Sequence, residues 1–295
     1  MTKKFFISTA IIVLTACGLY AQDVNFGVRG GLNMSNLIAT GNGDSPMSDG
    51  YKSRMATGFG IFTELQFNRT VSMRFGLEYS GMGGKKDGMQ PFPSQRLISE
   101  IASDIGLGMT AEQQQAIGMF AGNMPQYYYA DVNNTIKLDY LMIPIVAQFG
   151  WTIGHSPVRL YINAGPFVSF LLSGKQAAEG KSRLYTDETG TTTMWEEFAD
   201  KFPAFVPFVQ SEFPKIEPLL NDVQTFGETN ITAEFCSTNF GVTGNAGIRF
   251  QFHRHAIFVE AGGNYGFFTV QQKEVNGSNR AVAASVMLGY ALSLF

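Results

Sequence analysis

The sequence predicts an all-β chain: an eight-stranded antiparallel up-and-down transmembrane β-barrel with two long, partly helical extracellular loop insertions. Three observations carry this expectation. Apolar and polar residues alternate with period two through eight separate segments, the connections between those segments are long and short by turns, and a short apolar leader precedes the first segment.

The composition suits many short, closely paired strands. Charged residues make up 15% of the 295 residues, against about 25% in ordinary soluble domains, while the chain holds 33 glycines and 13% aromatics. A formal net charge of −3 is too small to suggest a nucleic-acid partner. Mean hydropathy near zero, with no later stretch of about 18 unbroken apolar residues, excludes a helical membrane protein.

Residues 1–22 read as a signal peptide: Lys3 and Lys4 form a basic start, Phe5 to Leu14 an apolar core, and small residues follow up to a cleavage site near Ala21 or Gln22. A rival reading takes "LTAC", Leu14 to Cys17, as a lipobox with Cys17 lipidated. Removal of Cys17 leaves Cys236 without a disulfide partner, an inert thiol near a strand start. The barrel domain is then 23–295.

The strands follow in order. "VNFGVRGGLN" sets Val24, Phe26, Val28 and Leu32 against Asn25, Arg29 and Asn33. "GFGIFTELQF" sets Phe59, Ile61, Leu65 and Phe67 against Glu64 and Gln66, and "SMRFGLEYS" sets Met73, Phe75, Leu77 and Tyr79 against Arg74 and Glu78. "IKLDYLMIPIVAQFGW" is irregular: its apolar frame moves from Ile136, Leu138 and Tyr140 to Ile143, Ile145, Phe149 and Trp151, which predicts a bulge beside Pro144. "VRLYINAGPFVSFLL", "NFGVTGNAGIRFQF" and "AIFVEAGGNYGFF" place Arg159, Arg249 and Glu260 on their polar faces, and "AVAASVMLGYALSLF" is the eighth strand. Alternation of this kind marks half-buried strands in a sandwich as well as in a barrel.

Connection lengths separate the two. In chain order they are long (about 35–55), short ("NRT"), very long (81–133), short ("TIGHSP"), very long (173–237), short ("HRH") and moderate (269–280). In an up-and-down barrel alternate connections lie at opposite ends, and short turns at one end with long loops at the other is the outer-membrane pattern. A sandwich has no reason to sort its connections this way.

At this level of detail the chain resembles the outer-membrane β-barrel family widespread in Bacteroidetes, the "porin family" or PorT-like proteins. The residues that carry the resemblance are "GVRGGLNMS" (Gly27 to Ser35), "LEYSGMGGK" (Leu77 to Lys85), "LDYLMIPIV" (Leu138 to Val146), "LYINAGPFVSFLLSGK" (Leu160 to Lys175) and "LGYALSLF" (Leu288 to Phe295). Met142 stands where relatives commonly have a glutamate. The resemblance implies residence in the outer membrane, contact with its lipid, and folding by the barrel-assembly machinery. That machinery favours a terminal aromatic on the last strand, so Phe295 is expected to be the assembly signal, one residue out of the frame of Leu288, Tyr290, Leu292 and Leu294.

The chemistry expected of the interior is a charge network of Arg29, Glu64, Arg74, Glu78, Arg159, Arg249 and Glu260, with Lys137 and Asp139 beside it. An eight-stranded barrel encloses only enough room for side chains, so opposite charges confined there pair with one another and plug the lumen. A narrow pathway or small-ligand pocket is the alternative. No catalytic, metal or cofactor site is expected. His155, His253 and His255 all fall in the short turns, away from the outer rim, and P-loop, Rossmann, CxxC and HExxH patterns are missing from the sequence.

The insertions hold what is individual to this chain. The first contains "SQRLISEIASDIGLGMTAEQQQAIGMFAG", two short helices with a Thr110…Gln113 capping pair opening the second. The second places Trp195, Phe198 and Phe202 on one helical stripe, with Phe205 and Phe208 beyond. So many aromatics outside a membrane need a cover. Three covers are open: the other insertion, packed on them as a cap; another outer-membrane or secreted protein, for which these five aromatics form a docking surface; and lipid. The functional expectation is a monomeric, non-enzymatic barrel with a plugged lumen whose loops bind or scaffold a partner. The alternatives are a PorT-like subunit of a secretion or envelope-assembly system and a small-solute channel.

Overall fold

The computed structural model describes residues 23–40, 46–95, 118, 122, 124–203, 206–212 and 221–294. The leader with Cys17, the Thr110…Gln113 pair, Phe205 and Phe295 lie outside these residues.

Eight strands close a ring. β1 (Asp23–Ala39), β2 (Arg54–Gln66), β3 (Val71–Lys86), β6 (Asn133–Thr152), β7 (Val158–Ser182), β9 (Thr238–Phe252), β10 (His255–Gly266) and β11 (Asn279–Ser293) pair in that order, all antiparallel, and β11 returns to β1. Closure removes every edge within the ring, the condition for crossing hydrocarbon with strands. β4 (Met89–Pro93) and β5 (Tyr127–Asp131) form a separate hairpin, and β8 (Gln224–Asn230) extends the sheet beside the upper part of β7.

Short turns gather at one end. Asn68 caps the β2–β3 turn by accepting from the amides of Thr70 and Val71 at 2.8 Å each, an Asx turn. β9 and β10 join through His253 and Arg254, with His253 at φ 54°, the left-handed conformation a two-residue hairpin needs. The long connections all leave from the opposite end.

The outer surface of the ring is apolar over a band. On β6 it runs Leu141, Ile143, Ile145, Ala147, Phe149, Trp151, which at about 3.3 Å per residue and a 40° tilt spans about 25 Å. Phe59, Phe170, Phe240 and Tyr265 stand near its upper margin, and Trp151, Phe252 and Tyr290 near its lower one. Exposed side chains in such numbers are the lipid face of a barrel rather than a fault of packing.

The irregular strand corrects one expectation. Pro144 interrupts the β3–β6 ladder between Phe75↔Ile145 and Glu78↔Met142 because it has no N–H, yet the register is the same on both sides. The bulge lies higher and on β7, where Leu172 is the extra residue between Tyr140↔Leu171 and Asp139↔Ser173. Even-numbered residues of β6 face inward from Asn134 to Gly150 without a change of frame. What changes is polarity. Within the band the outside is apolar and the inside mixed, whereas above it the outside carries Lys137 and Asp139 and the inside carries Ile136, Leu138 and Tyr140. Lys137 and Asp139 therefore do not belong to the lumen: Lys137 pairs with Glu228 at 3.2 Å outside, and Asp139 accepts from the Tyr79 hydroxyl at 2.5 Å. The barrel continues past the membrane as an ordinary water-soluble sheet with an apolar core.

The insertions are also more ordered by sheet than expected. β3 and β7 run on to Lys86 and Ser182, into the segments read from sequence as loop. Above them Tyr128, Ala130 and Val132 from the first insertion pack with Ala178, Leu184, Met194, Phe198 and Val209 from the second. Helix α1 (Met194–Lys201) starts on a capping box between Thr193 and Glu196, and α2 (Val206–Glu212) follows it. Asp187 organises the turn before α1, accepting from the amides of Thr189, Thr191 and Thr192. The Thr189 hydroxyl donates to it as well, and that bond, followed by those from the Thr192 and Thr191 amides, holds its carboxyl well below the usual range.

Candidate functional site

The interior of the ring contains three fillings stacked along its axis. At the short-turn end a vestibule of about 470 Å³ opens to solvent, lined by polar side chains that include Asn25, Gln66, Arg159, Gln251 and Arg254. Its floor is the ion-paired layer.

That layer is a chain of alternating charges. Arg249 on β9 grips Glu64 on β2 with both terminal nitrogens, at 2.7 and 3.2 Å. Glu64 also accepts from Ser72 and from the Gln148 amide at 3.1 Å each, and lies 3.7 Å from Arg74. Arg74 on β3 reaches Glu260 on β10 at 3.0 Å and the Gln148 carbonyl at 2.9 Å. Glu260 receives the Tyr161 hydroxyl at 2.8 Å and is bonded by Arg29 on β1, which joins Glu78 at 2.6 Å. Six of the residues singled out from the sequence thus form one bonded cluster with three charges of each sign. Glu64 and Glu260 each have more than one donor, which is what an ion needs when it is taken out of water, while Glu78 is held by Arg29.

Arg159 stands apart from the cluster. It lies flat across Gly150 at the vestibule wall, where an added Cβ would meet its Nε at 2.3 Å, and its Nε and Nη2 make no hydrogen bond.

Aromatic rings set the walls of the layer. The Arg74 guanidinium lies 4.4 Å from the Phe62 ring centre, 5.4 Å from that of Phe258 and 5.7 Å from that of Tyr161. Room for these rings comes from glycine. Phe62, Tyr161 and Phe258 each lean over the glycine directly opposite on the next strand, Gly27, Gly247 and Gly289, where a Cβ would approach ring carbons to 2.2, 2.5 and 2.1 Å. Phe62, Phe258 and Gln148 are members of this site that the sequence analysis did not single out. Their inward parity was the available signal, but two are apolar residues on a face read as polar.

Over the ions sits a polar layer, in which Asn33 donates to Ser80 at 3.1 Å and Asn245 to Asn163 at 3.0 Å. The third filling is an apolar cork. Leu37, Met82, Leu138, Tyr140, Met142, Phe167 and Ala281 converge from the wall on Ile231, Phe235 and Val270, which enter from the connecting segments. Backbone bonds from Ile231 to Gly174 (2.9 Å) and from Cys236 to Val270 (2.7 Å) fix those segments in place. Cys236 is a free, part-buried thiol.

Three of the five aromatics expected to form a docking surface are placed differently, the side chains of Phe205 and Phe208 lying outside the described residues. Phe198 is 6% exposed, turned into the cluster with Tyr128 and Met194, and Trp195 and Phe202 are half-buried against it. The amphipathic α1 has its apolar face covered by the first insertion, so Phe198 is not available to a partner. His255 is also not a turn residue: it opens β10 on the outer face, its Nδ1 2.6 Å from the Tyr290 hydroxyl. Among the described residues no three His, Cys, Asp or Glu side chains group as metal ligands would.

A closed ring with a lipid-facing band defines a transmembrane β-barrel. The chain belongs to the family described as "Outer membrane protein beta-barrel domain", whose model matches residues 20–272. Among solved structures it is similar to neisserial surface protein A (9% identity, 90% of this chain and 96% of that one, TM-score 0.36). It is likewise similar to OprG of Pseudomonas aeruginosa (10%, 92% and 95%, TM-score 0.35) and to the outer membrane protease OmpT of Escherichia coli (9%, 93% and 97%, TM-score 0.40). No protein of curated function matches it significantly.

Proposed function

We propose that this protein is a non-enzymatic outer-membrane barrel, plugged by its own side chains, whose extracellular mass is a scaffold for another envelope or secreted protein. The observation that carries the reading is the succession of unlike fillings, a neutral ion cluster within the membrane and, across the polar layer, an apolar cork above it. An aqueous channel needs a continuous polar path, and a selective one favours a lining of one sign; neither suits this interior. The histidines support the non-enzymatic part, since all three sit at the short-turn end, remote from substrates at the outer surface.

For the partner, the buried α1 aromatics give way to β8 as the docking element. Among the described residues β8 has a strand partner on one side only, β7, which leaves an edge that an extended segment of another protein can join. A PorT-like role is the form this reading takes if that protein belongs to a secretion or envelope-assembly system. The decisive experiment is single-channel recording in planar bilayers. The expected trace is silent or shows rare flickers, and steady conductance by the wild-type protein replaces the scaffold with the small-solute channel.

A further inference from the structure

The outer surface just above the lipid-facing band is uneven. On one side four lysines stand in a row across neighbouring strands. Lys52 bridges Lys85 backbone to backbone, Lys85 lies diagonally across from Lys137, which faces Gly83 on β3, and Lys137 is directly opposite Lys175. On the other side of the barrel the outward positions at and above the band's upper margin are Ile38, Phe240, Tyr265, Phe267 and Val282, with Arg280 the cation among them.

Like charges directly opposite one another destabilise a strand pair unless something lies between them. Here Glu228 is shared by Lys137 (3.2 Å) and Lys175 (2.7 Å), and Asp87 serves Lys52 (3.2 Å). Lys85 is exposed and has no carboxylate within ion-pair distance among the described residues. Glu228 and Asp87 thus ion-pair with three of the four ammonium groups, and Asp139 just below, which accepts from Tyr79, adds an attraction for Lys175; the four lysines still outnumber the three carboxylates around them.

Height decides what supplies the missing anions. Lys137 is two outward positions above Leu141, the last apolar residue of the band on β6, or about 10 Å along the membrane normal. The headgroup layer begins at the edge of the hydrocarbon and is about 5–8 Å thick. A lysine side chain bends several ångströms toward it, so these ammonium groups reach the headgroup plane. Leu141, Phe170 and Leu172 directly beneath offer the apolar surface on which acyl chains of the same molecule lie.

We propose that the row Lys52–Lys85–Lys137–Lys175 is a binding site for the phosphate groups of an outer-leaflet glycolipid, which seats on the β3–β6–β7 side of the barrel and not on the opposite one. The lipid bridges the lysines that Glu228 and Asp87 leave in excess, and it orients the barrel's extracellular extension at the membrane surface.

The test uses the full chain purified in detergent, with three probes: a bisphosphorylated diglucosamine lipid, the same lipid after removal of its phosphates, and inorganic phosphate. Retention is read by native mass spectrometry and by the temperature at which the folded gel band is lost. Wild-type protein is expected to retain the phosphorylated lipid and to gain heat resistance from it, with neither effect from the other two probes. Lys85→Gln combined with Lys137→Gln, Lys175→Gln and Glu228→Gln is expected to weaken retention about tenfold or more. Arg280→Gln on the opposite side and Lys201→Gln on α1 are expected to leave it unchanged. Because Glu228 is neutralised together with Lys137 and Lys175, the quadruple variant leaves no unmatched charge there, and an unchanged folded band without lipid shows that it folds. Equal retention of the dephosphorylated lipid, full retention by the quadruple variant, or the same stabilisation by inorganic phosphate alone overturns the proposal.

Discussion

Arg249 and Glu64 are separated by 185 residues of chain, yet they form a two-pronged ion pair inside the barrel, at 2.7 and 3.2 Å, with 3% and 0% of their side chains exposed. A pair this deeply buried is strong evidence for a fixed arrangement and weak evidence for stability, because desolvation offsets much of its attraction.

Removing one partner exposes that asymmetry. Glu64→Ala leaves Arg249 and Arg74 short of a counter-charge, and the expected loss is about 3–5 kcal/mol in unfolding by urea from lipid vesicles. Removing both ends, as Glu64→Leu with Arg249→Met, is expected to cost clearly less than the single change. Glu188→Ala, on the exposed cap, should stay within about 0.5 kcal/mol. If the double variant is as damaged as the sum of the two single ones, the pair is not the unit that matters.

The change of polarity along β6 makes a second prediction. Ile145 faces outward in the middle of the apolar band, and Thr135 faces outward on the same strand above it. Ile145→Arg is expected to destabilise the membrane-inserted barrel by about 2–4 kcal/mol, since a cation there faces hydrocarbon. Thr135→Arg should cost at most about 0.5 kcal/mol because it meets water. Equal costs at the two sites, measured by the same unfolding titration, would place the membrane boundary elsewhere.

Lys86 supplies a pH dependence. It sits above the membrane at the end of β3, donating to the carbonyls of Pro46 and Met47 at 3.1 and 3.0 Å and lying 4.3 Å from the Tyr51 ring centre. Burial lowers its pKa to about 8, a shift that the nearby Asp49 carboxylate only partly opposes. Between that value and the ordinary lysine range the unfolded chain binds the proton that the folded chain has released, so this group's contribution to stability rises with pH. Relative to Lys86→Met, the wild type is expected to gain unfolding resistance from pH 7.5 to 9.5. A constant difference across that interval would show that Lys86 does not titrate there.

These residues also show what could be read before the structure. Arg29, Glu64, Arg74, Glu78, Arg249 and Glu260 were legible because period two places them on the inward face whatever the register. Which of them touch was not, since Arg74 meets Glu260 only through the order and stagger of strands far apart in sequence. The upper half of β6 misled for a physical reason: apolar residues mark the outside of a barrel in lipid and the inside of one in water, and this strand crosses from one solvent to the other. Phe198 misled for a related one. A helical stripe of aromatics reads equally well as a docking face or as the buried side of a cap, and only Tyr128 and Ala130 arriving from the first insertion decide between them.

The ion cluster and the apolar cork stand in series along the lumen, and that arrangement has its own test. Water entering from the vestibule meets the ion cluster first and the cork of Ile231, Phe235 and Val270 second. Replacing those three cork residues by alanine removes apolar volume but leaves the cluster intact below, so the bilayer trace should stay silent. Replacing Arg74 and Glu260 together by alanine takes out one charge of each sign and leaves Arg249–Glu64 and Arg29–Glu78 paired, so the barrel should fold, and the cork should still hold the trace silent. Only the five-fold combination is expected to conduct steadily, since on the proposed reading each barrier alone stops ions in a lumen this narrow. The folded, heat-modifiable gel band must be present in every variant for the comparison to count. Steady current from the Arg74–Glu260 variant alone would mean that the cork is no barrier, and the plug would then reduce to the ion cluster.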